Sequence, residues 1–135
     1  MKISVALITY NGSQFIKEQI DSILNQELAV NEIIIFDDCS TDNTWEILKE
    51  YQKNYSSIIS INRNEKTLGY YINIQKAIQK CIYEIICLAD QDDIWLNHKT
   101  AYLINFFIDK FLPYLVKIII VPYINFIPII QPRTL

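Results

Sequence analysis

"ISVALITYNGSQFIKEQIDSILNQ", residues 3–26, changes its hydrophobic period halfway along. The run from Ile3 to Thr9 is apolar and β-rich without a break, the pattern of a strand covered on both faces. After the polar turn "TYNG" (9–12), apolar residues return at Ile16, Ile20, Ile23 and Leu24. That is the spacing of one helical face, and it predicts a helix over 14–26. The same alternation continues through residue 89. "EIIIF" (32–36) reads as a second buried strand, and "DDCSTDNT" (37–44) as a turn in which Asp42 or Asn43 caps the next helix. That helix, over 43–54, has Glu46 in its first turn and buries Trp45, Leu48 and either Tyr51 or Tyr55. A third strand is expected at 57–63 and a loop at 64–69. A third helix follows at 70–83, with Tyr71, Ile74, Ile78, Cys81 and Ile82 on one stripe, and a fourth strand at 84–89. The order βαβαβαβ predicts an α/β fold with a mostly parallel sheet, helices on both faces and right-handed crossovers.

From Thr100 the pattern changes to an apolar tail interrupted by Pro113, Pro122, Pro128 and Pro132. Residues 1–100 are therefore expected to form one α/β domain, and 101–135 an atypical, irregular tail. An amphipathic helix fits 101–112. The stretch 111–130 is long enough for a membrane span, but Lys117, Asn125 and three prolines argue against one.

Composition narrows the function. The chain has 135 residues, 51% apolar and 20% charged, enough for one domain with a real core. A net charge of −3 gives no general pull on nucleic acid or anionic lipid. Cys39, Cys81 and Cys87 follow no ligand spacing and read as free thiols in a reducing compartment, so a cytoplasmic location is expected. With His98 as the one histidine, a histidine metal site or a serine triad would have to rest on that residue alone. Gly12 and Gly69 are the only glycines, so neither GxxxxGK[ST] nor GxGxxG is present. A phosphorylated ligand would need a divalent cation in place of a glycine-rich cradle.

In open parallel sheets the ligand crevice lies beyond the carboxyl ends of the strands. "TYNG", "DDCS" and "ADQDD" all fall there. Asp90, Asp92 and Asp93 would repel one another unless solvated or shared with a hard cation such as Mg2+ or Mn2+. The plainer reading is a solvated turn with Asp92 or Asp93 capping a helix that starts near Ile94. Asp37 and Asp38 form a second acidic pair, one able to cap a helix and the other to meet a ligand. Thr9 offers a hydroxyl and Tyr10 an aromatic face, or both belong to an ordinary turn with Asn11 or Gly12 at positive φ. Arg63 and Lys66 either meet a diphosphate or are plain surface charge. Trp95 fills the core or walls the pocket.

In order and spacing, the stretch quoted first, "IIIFDDCSTDNT", "NEKTLGYYINIQKAI" and "CLADQDDIWLNHK" resemble the N-terminal half of family 2 glycosyltransferases of the GT-A fold. The likeness covers about residues 1–100 and is nearest to bacterial rhamnosyltransferase-like members that build surface polysaccharides. It implies a nucleotide-diphospho-sugar donor, Mn2+ or Mg2+, a saccharide or lipid-linked acceptor, and work at the inner face of the plasma membrane. By motif match it implies Thr9 and Tyr10 against the nucleoside, with Asp38 on the base and Asp37 supporting it. Asp90-Gln91-Asp92 matches the DxD element, whose acids meet the ribose and the metal-bound diphosphate; the metal ligand is Asp92 or Asp93. The family's second half carries the acceptor site and a carboxylate base, and nothing after Lys99 resembles it. A donor-binding half with a truncated or replaced end is the resulting expectation. Alternatives are a non-catalytic nucleotide-sugar binder and a membrane-attached interaction protein working through its tail.

Overall fold

The computed structural model describes residues 1–111 and 118–120, with side chains through residue 106. In chain order the elements are β1 (Ile3–Thr9), α1 (Ile16–Leu24), β2 (Glu32–Asp37), α2 (Thr44–Asn54), β3 (Ile59–Arg63), α3 (Tyr70–Lys80), β4 (Ile85–Asp90), α4 (Lys99–Phe111) and β5 (Ile118–Ile120). The strands form one sheet in the order β3-β2-β1-β4-β5, and every pairing is parallel. The chain builds outward from β1 through β2 to β3, then returns to place β4 on the other side of β1. The order therefore reverses between β1 and β4, and a crevice opens there.

Residue parity along the strands sorts the core into two layers, because successive strand side chains point to opposite faces. Val5, Leu7, Ile33, Ile35, Cys87 and Ala89 pack with Ile16, Ile20 and Ile23 of α1 and Ile47 and Leu48 of α2. Ala6, Ile8, Ile34, Phe36 and Ile86 pack on the opposite face with Ile74 and Ala77 of α3 and with Cys81 at its C-cap. Full burial of each isoleucine contributes about 1.5–3 kcal/mol. Trp95 is 4% exposed and belongs to the first layer, as does Ile104 of α4.

Two expectations are corrected. No helix starts near Ile94: residues 91–98 form turns, and α4 begins at Lys99. The buried stripe of α3 runs through Asn73, Ile74 and Ala77 to the C-cap Cys81, while Tyr71 is 84% exposed and Ile82 72% exposed. Tyr71 belongs to the first turn, next to the crevice, and Ile82 follows the helix end, so neither lies against the sheet. The cap of α2 is met from one residue earlier than its N-cap Asn43, since Asp42 accepts from the Thr44 N–H at 3.0 Å. Apart from Phe111 and β5, the stretch 111–130 lies outside the described residues. Among the described residues no helix is long and apolar enough to cross a membrane.

Candidate active site at the β1–β4 reversal

Asp38 and Asp90 share the strand parity of the α3 layer, and there they reach a cleft of about 370 Å3 over the carboxyl ends of β1, β2 and β4. Thr9, Tyr10, Gln91 and Asp92 complete its strand side, and Gly69, Tyr70 and Asn73 its α3 side. Of the residues expected at the site, Thr9, Tyr10, Asp38, Asp90 and Asp92 thus come together. Asp37, Arg63 and Asp93 do not line the cleft.

Asp38 is 4% exposed and fixes the loop that follows β3. Its carboxylate accepts from the Leu68 and Gly69 N–H groups and from Asn64 Nδ2, each at 2.8 Å. Asn64 in turn donates to Asn73 Oδ1 at 2.8 Å and accepts from Lys76 Nζ at 2.6 Å. Burial raises the Asp38 pKa, but these N–H donors and Lys76 outweigh it and hold the carboxyl below its ordinary value. Gly69 has φ +86°, the left-handed region where glycine carries no Cβ penalty, so the chain turns there into α3. The next residue, Tyr70, hydrogen-bonds Asp90 through its hydroxyl.

Asp37 has the opposite parity and points into the α1–α2 side, fully buried. It accepts from Ser40 N–H at 3.0 Å and from the Ser40 hydroxyl, and pairs with Arg63 Nε at 3.3 Å. Arg63 also donates to the Ser40 carbonyl at 2.6 Å and lies over the Trp45 ring at 5.3 Å. Both residues brace the β2–α2 turn beneath the cleft. Asp93 sits 3.5 Å from Lys99 Nζ, and that ammonium lies 4.2 Å from the Trp95 ring.

No lysine or arginine is among the residues lining the cleft. Burial, followed by the charges of Asp92 and Asp93, pushes the Asp90 carboxyl above its ordinary value, while the Tyr70 hydroxyl works against that rise. Hard carboxylate oxygens with uncompensated negative charge suit Mg2+ or Mn2+. Among the described residues no three carboxylate, histidine or cysteine side chains converge on one point. Asp90 and Asp92 would therefore leave most of the coordination sphere to water and substrate oxygens, as is common for these ions.

Sequence reasoning overlooked Gln91, Asn64, Asn73 and Tyr70. Asn73 carried a readable signal, a polar residue on the apolar stripe of α3. Gln91 passed as a spacer between aspartates, yet its Oε1 accepts from Thr9 Oγ1 at 2.7 Å and from the Tyr10 N–H at 2.9 Å. Those bonds tie β1 to β4 across the reversal. Gly12 makes room for them: a Cβ there would lie 2.2 Å from Gln91 Oε1 and 2.9 Å from Thr9 Oγ1. Asn11, not Gly12, takes positive φ in this turn. Gly12→Ala should therefore swing the Gln91 carboxamide aside and keep the fold. The expected cost is about 1–2 kcal/mol for two lost hydrogen bonds, read as a shift in urea midpoint.

The chain matches the Glycosyl transferase family 2 domain over residues 4–123. The dTDP-rhamnosyl transferase RfbG of Shigella flexneri is 40% identical over 97 residues, which are 69% of this chain and 34% of the relative. The poly(ribitol-phosphate) β-N-acetylglucosaminyltransferase TarS of Staphylococcus aureus is 31% identical over 113 residues, 82% of this chain and 19% of the relative. The structure of TarS 1–349 with UDP-GlcNAc superposes with a TM-score of 0.69 at 29% identity, over 82% of this chain and 32% of that one. The mannosyltransferase PcManGT of Pyrobaculum calidifontis, solved with GDP-Man and Mn2+, shares the fold, with a TM-score of 0.73 at 21% identity over 81% of this chain and 33% of that one. This chain spans about a third or less of the length of these proteins.

A parallel sheet with this order, and these solved neighbours, define a glycosyltransferase domain of the GT-A class. The chain belongs to glycosyl transferase family 2.

Proposed function

We propose that the described residues form the donor-binding part of a glycosyltransferase that takes a nucleotide-diphospho-sugar with Mn2+ or Mg2+. In this reading the sugar goes to a saccharide or lipid-linked acceptor during surface polysaccharide synthesis. The observation that carries it is the cleft itself, which gathers Asp38, Asp90 and Asp92 with no lining cation at the β1–β4 reversal. A diphosphate would be repelled from three carboxylates unless a cation came with it.

Each side chain then has a role that follows from its chemistry. Tyr10, 47% exposed, offers a ring face to the base. Asp38 keeps the 64–69 loop closed, and the acceptor capacity left on its oxygens is available to a base N–H. Asp90, oriented by Tyr70, faces the ribose hydroxyls. Asp92 is the carboxylate assigned to the metal, because it lines the cleft whereas Asp93 is paired with Lys99. Asp37 and Arg63 support the turn that carries Asp38 and do not touch the donor. When bound, the metal supplies Lewis-acid stabilisation of the charge on the departing nucleoside diphosphate. Inverting transfer also needs a base for the acceptor hydroxyl. The carboxylates of this cleft are all committed to the donor, so none of them is assigned as that base.

The test is calorimetric titration of UDP, dTDP and GDP into the 135-residue chain with Mn2+ and again after chelation. At least one nucleoside diphosphate should bind with Mn2+ and lose most of its affinity without it. Binding that chelation leaves unchanged would overturn the metal assignment, and no binding under either condition would overturn the donor-site reading.

A further inference from the structure

We propose that Gln91 is a substrate-binding residue, its Nε2 amide group donating a hydrogen bond to an oxygen of the donor nucleotide. This rests on the donor-site reading above and adds to it a contact that neither the acidic cluster nor the aromatic ring supplies.

The orientation of the carboxamide is fixed by its partners. The Tyr10 backbone N–H is a donor and nothing else, so the atom 2.9 Å from it must be the amide oxygen. Thr9 Oγ1, 2.7 Å from the same atom, donates a second bond to it. The missing Cβ at Gly12 leaves the space in which that oxygen sits. With Oε1 held by two donors at the end of β1, Nε2 is turned away from them, and the described residues supply it no acceptor. Gln91 nonetheless lines the cleft between Asp90 and Asp92. A ligand oxygen entering the cleft would give that amide N–H2 an acceptor while Oε1 stays on its two donors.

Three other side-chain donors around the cleft are already engaged. Asn73 Nδ2 donates to the Phe36 carbonyl at 3.0 Å, Thr67 Oγ1 to the Asp38 carbonyl at 3.3 Å, and the Tyr70 hydroxyl bonds to Asp90. A nucleotide, by contrast, is rich in acceptors at its phosphates, ribose and base carbonyls. In a cleft whose charged groups are all acceptors, Gln91 offers a neutral donor that can meet one of them. The shared chemistry is an acceptor oxygen, carried by either the diphosphate or the nucleoside.

The experiment compares wild type, Gln91→Met and Gln91→Glu as full 135-residue chains. UDP and dTDP are titrated with Mn2+, alongside uridine and thymidine, and thermal melting is recorded for each protein. Methionine removes both the acceptor and the donor. Glutamate keeps an oxygen for Thr9 and Tyr10 but has no N–H2, so its melting temperature should stay near wild type. Both variants should bind the nucleoside diphosphate about tenfold more weakly. A loss confined to the diphosphates places the contact on phosphate, and an equal loss with the nucleosides places it on the ribose or base. Weakening in Gln91→Met alone would show that the residue only pins Tyr10, and weakening in Gln91→Glu alone would reduce the effect to added charge; either overturns the proposal. Wild type that binds neither nucleotide overturns the donor-site reading and this inference with it. Wild-type binding that both variants retain in full overturns this inference only.

Discussion

Asp92→Asn should abolish the Mn2+ dependence of nucleoside diphosphate binding and lower affinity in the presence of Mn2+ by about a hundredfold or more. The substitution keeps size and polarity and removes the charge of the one carboxylate in the DxD stretch that is exposed at the cleft. Removing a group that merely orients a metal ligand already costs about 10–100-fold in metal affinity, and loss of a ligand should exceed that. Asp93→Asn is the informative contrast. Asp93 lies beside Lys99 and outside the cleft lining, so its loss should lower stability and spare most of the metal effect. Titration of Mn2+ by electron paramagnetic resonance, in parallel with nucleotide calorimetry, separates the two. The assignment fails if Asp93→Asn loses Mn2+ and Asp92→Asn keeps it.

Asp37→Ala should be the most destabilising single change near the site, by about 3 kcal/mol, without removing any atom from the cleft. The fully buried carboxylate satisfies Ser40 twice and pairs with Arg63. Alanine leaves a buried N–H and hydroxyl without their acceptor and Arg63 without its counter-charge, each a cost of about 1–3 kcal/mol before relaxation. Arg63 is partly exposed, so water recovers some of its share. Burial is the largest influence on Asp37 and raises its pKa above 3.8, outweighing Ser40 and Arg63. The folded chain therefore holds this proton more tightly than the unfolded one. The contribution of Asp37 to stability is greatest below 3.8 and falls as pH rises through the raised value, a slope that Asp37→Ala should lack. Urea unfolding across that pH range measures both effects. A midpoint shift within error of zero would show that the β2–α2 turn does not depend on this network.

Asp37 and Asp38 also show where reading the sequence stops. They are adjacent, chemically identical and at the end of the same strand, yet one is a buried brace and the other a cleft residue. In a half-exposed strand, polar alternation would have told them apart. β2 is apolar on both faces, as parallel strands are, so its sequence carries no mark of which parity faces α3. The same ambiguity covered Asp92 and Asp93. Arg63 presented a cation at the right edge, and only packing showed it turned back onto Asp37 and Trp45.

The first four strands, the helices between them and their parallel crossover order were present in the sequence, because hydrophobic period is a local property and switches cleanly at each turn; β5, inside the apolar tail, was not. The gathering of "TYNG", "DDCS" and "ADQDD" on one edge followed from that order alone. Which side chains enter the cleft depended on strand parity relative to α3, and on hydrogen bonds between segments some eighty residues apart in sequence, such as Thr9 to Gln91. Those contacts exist only once β4 has been laid beside β1, so tertiary structure alone could turn a spacer glutamine into part of the site.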